Sequence, residues 1–285
     1  MPTDIIKISL DPINCLEQNR LDEQSFALHE LMHGKIFHAP VHPKRILDVG
    51  CGTGRLTLLL AQRFPDAEVV GVDIAPVPIM NNSPPNVHFI QSDIKEFARH
   101  KDGAFNGDGF DYIFSRLLFM GIIDWPAHIA LLVSLLSHDG WIELQELDLT
   151  AFAIDGKTVV SEKWLYWSVI KEDLNATGLD MDAGRHLRGY LSQNPQLHNI
   201  TQVMYRSPMA QHPEVPEGAA MVEYVRRSMI PMFAELLQKV SGPKRGKEET
   251  RAIMTDLKET TADIAEGTHV RFFVVFAQLL DRKGV

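Results

Sequence analysis

Cysteine is nearly missing from this chain: Cys15 and Cys51 are the two in 285 residues. They can build neither a disulfide scaffold nor a cysteine-cluster metal site, and so low a count fits a reducing compartment. Long apolar runs are missing too. No stretch reaches the roughly 20 residues of a membrane span. Met1-Pro2-Thr3-Asp4 lacks the basic start and apolar centre of a signal peptide. A cytoplasmic protein is expected, with the nucleus left open and no membrane partner. Positive charge is short: 28 Lys and Arg stand against 37 Asp and Glu, a formal net charge of −9. That balance argues against nucleic acid as the partner. The short basic run Lys244-Arg245-Gly246-Lys247 reads as a solvated loop. Twelve histidines include no HExxH frame, and His29 and His33 read as one face of a helix, so no metal is expected.

What is present is a 45% hydrophobic fraction, enough for a core without staples, and one stretch that organises the rest. In Arg45-Ile46-Leu47-Asp48-Val49-Gly50-Cys51-Gly52-Thr53-Gly54 an apolar run meets an acidic residue, then three alternate glycines, then a helical pattern from Arg55. Strand, glycine turn and helix N-terminus is how an α/β sheet brings backbone close to a nucleotide.

Strands and helices alternate from there. Short apolar strands are expected at 46–49, 68–72, 87–91, 110–114 and 141–147. Helices lie between them, including one capped by Asp124 ahead of Trp125-Pro126, and Asp139-Gly140 turns into the fifth strand. The implied fold is α/β, a doubly wound parallel sheet with helices on both faces. Residues 1–12 read as a tail, and 14–34 as an N-terminal capping helix stopped by Gly34. Residues 35–150 read as the cofactor-binding core, and 151–216 as helices (161–177, then 188–192) with a sixth strand at 198–205. Two helical arms joined at Ser241-Gly242-Pro243 read as a helical lid inserted at 217–266. The terminal strand falls in 267–285, over His269–Leu280. All belong to one domain, 1–285. The methionines of the lid suit an adaptable apolar wall, although plain helix packing explains them equally well.

Ligands of doubly wound sheets bind beyond the carboxyl ends of the strands. Those ends carry Asp48, Asp73, Asp93 and Ser115. Asp73, about 20 residues past the loop, is where a ribose-binding carboxylate belongs. The loop is Gly-x-Gly-x-Gly with Arg55 where a dinucleotide loop would place its third glycine. Asp48 would repel a pyrophosphate and suits a cation, met directly or through ordering of the loop amides. Asp93 can meet an exocyclic amine. This acidic set favours S-adenosylmethionine over NAD.

Ile46–Gly54 and Gly71-Val72-Asp73-Ile74 are similar to the first two motifs of class I S-adenosylmethionine-dependent methyltransferases. The chain resembles the fungal LaeA-like branch in particular. That likeness includes Asn19–Gln24, Phe110–Ile113 with Ser115-Arg116, Asp124-Trp125, Trp141–Glu146 and Phe272–Gln278. His138-Asp139 departs from the Pro- or Gly-rich turn usual there. The resemblance implies a Rossmann-like seven-stranded sheet with its last strand antiparallel. It also implies methyl transfer to a small molecule of secondary metabolism, leaving S-adenosylhomocysteine. Some relatives act as regulators through protein partners, and some as cyclases that keep the methyl.

Expected cofactor contacts are Arg20, Asp48, Gly50, Cys51, Gly52, Gly54, Asp73, Ile74, Asp93, Ile94 and Ser115. Arg20 is expected to meet the cofactor carboxylate through a charge-assisted hydrogen bond. Candidate bases are Glu146, at the end of the fifth strand, and His186, if its helix folds over the site. The acceptor is not legible. The inserted helices could equally form a homodimer interface.

Overall fold

The computed structural model describes residues 15–78, 83–99 and 109–279. The expected N-terminal tail, the helix start at Asn14 and the last residues of the terminal strand and segment, 280–285, lie outside them.

Helix α1 (Cys15–Leu31) precedes the sheet. It ends as a glycine stop should: Gly34, at φ 76°, donates to the carbonyl of His29 at 2.9 Å. The sheet then builds by alternation: β1 (Arg45–Val49), α2 (Arg55–Arg63), β2 (Glu68–Asp73), β3 (Val87–Gln91), α3 (Ile94–Arg99), β4 (Phe110–Arg116), α4 (Trp125–Ser134) and β5 (Leu136–Phe152). Helices α5 (Leu165–Asn175) and α6 (Ala183–Ser192) precede β6 (Leu197–Pro208), and the last described strand is β7 (His269–Leu279). The order is β3-β2-β1-β4-β5-β7-β6. β1 to β5 pair in parallel, and β7 runs antiparallel to both β5 and β6, so the expected seven-stranded sheet is present. The order reverses between β1 and β4, which opens a crevice at their carboxyl ends.

Three boundaries differ most from the sequence reading. β5 extends well past 141–147 because β7 pairs along it from Trp141 to Phe152. Its expected turn at Asp139-Gly140 lies inside the strand, with Asp139 at φ 59°. Gly140 packs closely there, since a Cβ would stand 3.0 Å from the Phe110 carbonyl. α6 starts at Ala183 rather than Arg188, because Gly184 lets it lie on β5; a Cβ would approach the Glu146 carbonyl to 2.6 Å. The helix expected over 161–177 splits into a 3₁₀ turn (Ser161–Lys163) and α5, separated by the extended Trp164.

The segment before β7 forms the two arms. The first runs α7 (Ala219–Tyr224), a π turn (Val225–Met229), α8 (Ile230–Leu236) and a second π turn (Leu237–Ser241). After the bend at Gly242–Lys244 comes α9 (Lys247–Ala262). The bend is less solvated than expected: Lys244 Nζ and Arg245 Nη1 both donate to the Asp173 carboxylate, at 3.2 and 2.5 Å, tying it to α5.

Asp124 caps α4 as read, its Oδ1 accepting from the Ala127 amide at 2.9 Å. Asp124→Ala is expected to cost about 1 kcal/mol of stability, measured by urea unfolding.

Candidate functional site

The glycine turn between β1 and α2 folds because all three glycines take left-handed backbone: φ is 70° at Gly50, 56° at Gly52 and 76° at Gly54. Gly50 has a second constraint, since a Cβ there would meet the Leu118 side chain at 2.3 Å. The turn is pinned by Asp73 at the end of β2. Its Oδ2 accepts from the Gly52 amide at 2.8 Å and its Oδ1 from the Ala75 amide at 2.9 Å. Ordering of the loop amides therefore belongs to Asp73 and not to Asp48. Buried Asp48 instead accepts from Thr57 Oγ1 at 2.6 Å. Burial pushes its carboxyl up to about 6, against the pull of Thr57 and Arg116. Burial also pushes the Cys51 thiol up, with Asp48 and Asp73 adding to it, so the thiol stays protonated.

These residues face a cavity of about 870 Å³, within the range of small-molecule sites. Asp48, Gly50, Cys51, Gly52, Asp73, Ile74, Asp93 and Ile94 all line it. Asp93 also accepts the Lys95 amide at the head of α3, so capping and lining coexist. Arg20 lines it as well, but not as a free cation. Its Nε and Nη2 donate to Glu17 at 2.7 and 2.6 Å, and Nη1 donates to Tyr224 Oη at 2.7 Å. Gln24 Nε2 meets the same phenol at 2.9 Å, and Thr53 Oγ1 donates to Asp22 at 2.8 Å. Helix α1 is thereby tied to both α7 and the glycine turn.

Four expected site residues fall elsewhere. Gly54 shapes the start of α2 but does not line the cavity. Ser115 is fully buried with its hydroxyl turned into the protein; Arg116, one residue on, lines the cavity. Glu146 is fully buried outside the cavity lining, accepting from the amides of Leu118 at 2.7 Å and Phe119 at 3.3 Å. His186 stands on the outer side of α6, half-exposed, with Nδ1 2.7 Å from Asp180. Neither proposed base faces the cavity.

Among the lining residues that the sequence reading did not assign to the site are Arg116 and His128. The Arg116 guanidinium donates to Gln145 Oε1 at 2.8 Å and to the Ile36 carbonyl at 3.2 Å. Burial brings it down to about 10, against the pull of Asp48 and Glu143. His128 on α4 packs edge-on against Trp125, and burial, with Lys95 adding to it, brings its imidazole down to about 4. Its Nε2 is buried without a partner among the described residues.

Beyond β4 the lining changes character. Leu147 and Leu149 at the end of β5, Leu174 on α5, Met181, and Met229, Met232, Phe233 and Leu236 from the first arm close the cavity with apolar side chains.

A family model described as a methyltransferase domain matches residues 24–227. The chain belongs to the methyltransferase-domain family. A secondary metabolism regulator LaeA of Coprinopsis cinerea is 30% identical to this chain over 81% of it. The chain spans 55% of that relative's length. Methyltransferase str2 of Strobilurus tenacellus is 23% identical, over 89% of this chain and 93% of its own. These relatives place the chain in the LaeA-like branch. Among solved structures, Haemonchus contortus phosphoethanolamine N-methyltransferase 2, solved with S-adenosyl-L-methionine, aligns at a TM-score of 0.47. It is 16% identical and covers 90% of this chain and 53% of its own.

The family's cofactor is S-adenosylmethionine, and the residues of this chain fit it. The glycine turn leaves a backbone cradle, and the rim carries carboxylates at three successive strand ends, an acceptor set for an ammonium, a ribose diol and an exocyclic amine. Bound there, the cofactor supplies an electrophilic methyl on a cationic sulfur. Among the described residues no cluster of three metal-ligating side chains occurs, and no helix is long and apolar enough to cross a membrane.

Proposed function

We propose that this chain transfers a methyl group from S-adenosylmethionine to an oxygen or nitrogen of a small molecule, of the kind made in fungal secondary metabolism. One observation carries the reading. A glycine turn rimmed by Asp48, Asp73 and Asp93 opens, across β4, directly onto an apolar chamber. In this reading Asp73 takes the ribose hydroxyls, Asp93 the adenine amine, and Asp48 with the turn the amino-acid end. The stretch 217–266 is the lid, and α1 closes the cofactor side through the Arg20–Tyr224 and Thr53–Asp22 bonds. The protein's part in the reaction is to align nucleophile and methyl and keep water out. The fungal relatives and the two unpaired cysteines support action in a fungal cytoplasm. A homodimer is the alternative use of the inserted helices, read by sedimentation.

Calorimetric titration with S-adenosylhomocysteine is expected to give saturable one-site binding. His186→Ala is expected to bind with unchanged affinity, because its ring lies outside the cavity. Absence of saturable heat from the wild type would overturn the methyl-transfer reading.

The LaeA relative raises a second reading, regulation through a protein partner. Turnover of a small acceptor by the purified chain counts against it.

A further inference from the structure

The cavity's ionisable groups are unevenly placed. Asp48, Cys51, Asp73 and Asp93 stand at the ends of β1 to β3, Glu17, Arg20 and Tyr224 where α1 meets α7, and Arg116 at the end of β4. His128 is set beside Asp93 and Lys95, on the β3 flank. The far chamber, beyond β4, is walled by Leu147, Leu149, Met181, Met229, Met232 and Phe233. Among the described residues no carboxylate, imidazole, amine or phenol lines it. The nearby carboxylate, Glu146, turns away into the loop after β4.

Two consequences follow for whatever enters. Its body must be apolar, because a polar group in such a wall loses its water without gaining a partner. Three thioethers and a phenyl ring favour contact with aromatic surface. Its nucleophile must also be ready on arrival, since among the described residues no side chain of the chamber wall is placed to remove a proton. An alkyl alcohol would need one removed, and an ammonium would have to be buried as an unpaired cation.

Resting on the methyl-transfer reading, we infer that the acceptor is an apolar, ring-bearing molecule whose accepting oxygen is already an anion at neutral pH. Carboxylic acids and acidic enols or phenols share that chemistry. Two positive charges receive the anion, the sulfonium of the bound donor and the buried Arg116 guanidinium at the junction of floor and chamber. As the anionic oxygen forms its bond to the methyl carbon, the carbon–sulfur bond breaks and its electron pair returns to sulfur. Anion and sulfonium become a neutral ester or ether and a neutral thioether. No proton remains to be moved, which matches a chamber whose described wall carries no base.

The test uses the full chain saturated with sinefungin, a cofactor analogue carrying an ammonium in place of the sulfonium, at pH 8. Three probes share one skeleton: 2-naphthoate, 2-naphthylmethanol and 2-naphthylmethylamine. Calorimetry is expected to show the naphthoate binding at least 10-fold more tightly than either other probe. The margin is expected to shrink when neutral S-adenosylhomocysteine replaces sinefungin. Met232→Asp is expected to weaken naphthoate at least 10-fold, with sinefungin binding as the check that the variant is folded. Equal or tighter binding of the alcohol or amine, or no binding of any probe, overturns the inference. Failure of sinefungin itself to bind strikes the methyl-transfer reading instead.

Discussion

Asp73→Ala is expected to weaken S-adenosylhomocysteine binding by about 100-fold or more while leaving the protein folded. The carboxylate holds the Gly52 amide with one oxygen and the Ala75 amide with the other. Hydrogen bonds to a charged group contribute roughly 1.5–3 kcal/mol each, and 2.8 kcal/mol is about two powers of ten in affinity. The loss has two parts. The unpinned turn must be reordered by the ligand, and the ribose hydroxyls lose their acceptor. Asp73→Asn keeps one oxygen and should lose about one power of ten, on the same scale. Asp73 is partly exposed at the rim, so thermal unfolding should shift little. Wild-type affinity in the alanine variant would remove Asp73 from the cofactor site.

The second large effect is expected at Glu146, as a change in stability. Its carboxylate is fully buried and holds the loop after β4 by two amides. That loop begins at Leu117, a non-glycine residue at φ 56°, and carries Leu118 over Gly50. Such a conformation costs of order 1 kcal/mol and persists where the surroundings hold it. Glu146→Ala leaves the buried Phe119 amide and the part-buried Leu118 amide without partners, at about 1–3 kcal/mol each. A loss near 3 kcal/mol would lower Tm by roughly 5 °C in a chain of this size. The cofactor affinity should fall with it, because the loop closes on the glycine turn.

Burial pushes Glu146 up to about 8, against its two amide bonds. Between its ordinary value, about 4.3, and that raised value the folded state keeps a proton the unfolded state has released. Stability from this group is therefore full at low pH and declines as pH rises through that window, by up to ~1.4 kcal/mol per unit. Glu146→Gln removes the titration. Because glutamine keeps only one of the two acceptor oxygens, its Tm should lie below the wild type near pH 5, with the gap closing as pH rises toward 8, as read by calorimetry. Parallel Tm–pH curves would sink this assignment.

The acidic strand ends were legible because each stands at the end of an apolar run, so Asp48, Asp73 and Asp93 could be placed by order alone. The two errors of position share one cause. Side chains alternate faces along a strand, so a slip of one residue exchanges the cavity for the core. On β4 Ser115 was expected at the site where Arg116 stands. On β5 Glu146 was expected near the methyl, whereas Leu147 and Leu149, on the other face, line the cavity. Fixing that parity needs partners distant in sequence: Gln145 and Ile36 for Arg116, Leu118 and Phe119 for Glu146. His186 failed for a helical reason. Gly184, Leu187 and Leu191 turn inward on α6, leaving His186 outward. The length of β5 was hidden because β7, which defines it, lies more than a hundred residues later.

That last pairing bears on how the protein is made. β7 sits between β5 and β6 and follows the two inserted arms in the chain. During synthesis from the N-terminus, β5 and β6 must wait with open hydrogen-bonding edges until His269–Leu279 has left the ribosome. A nascent chain stalled before that point exposes two strand edges of the kind that recruit other chains. The helical arms, complete before β7, are the part of the molecule available to shield those edges during the wait.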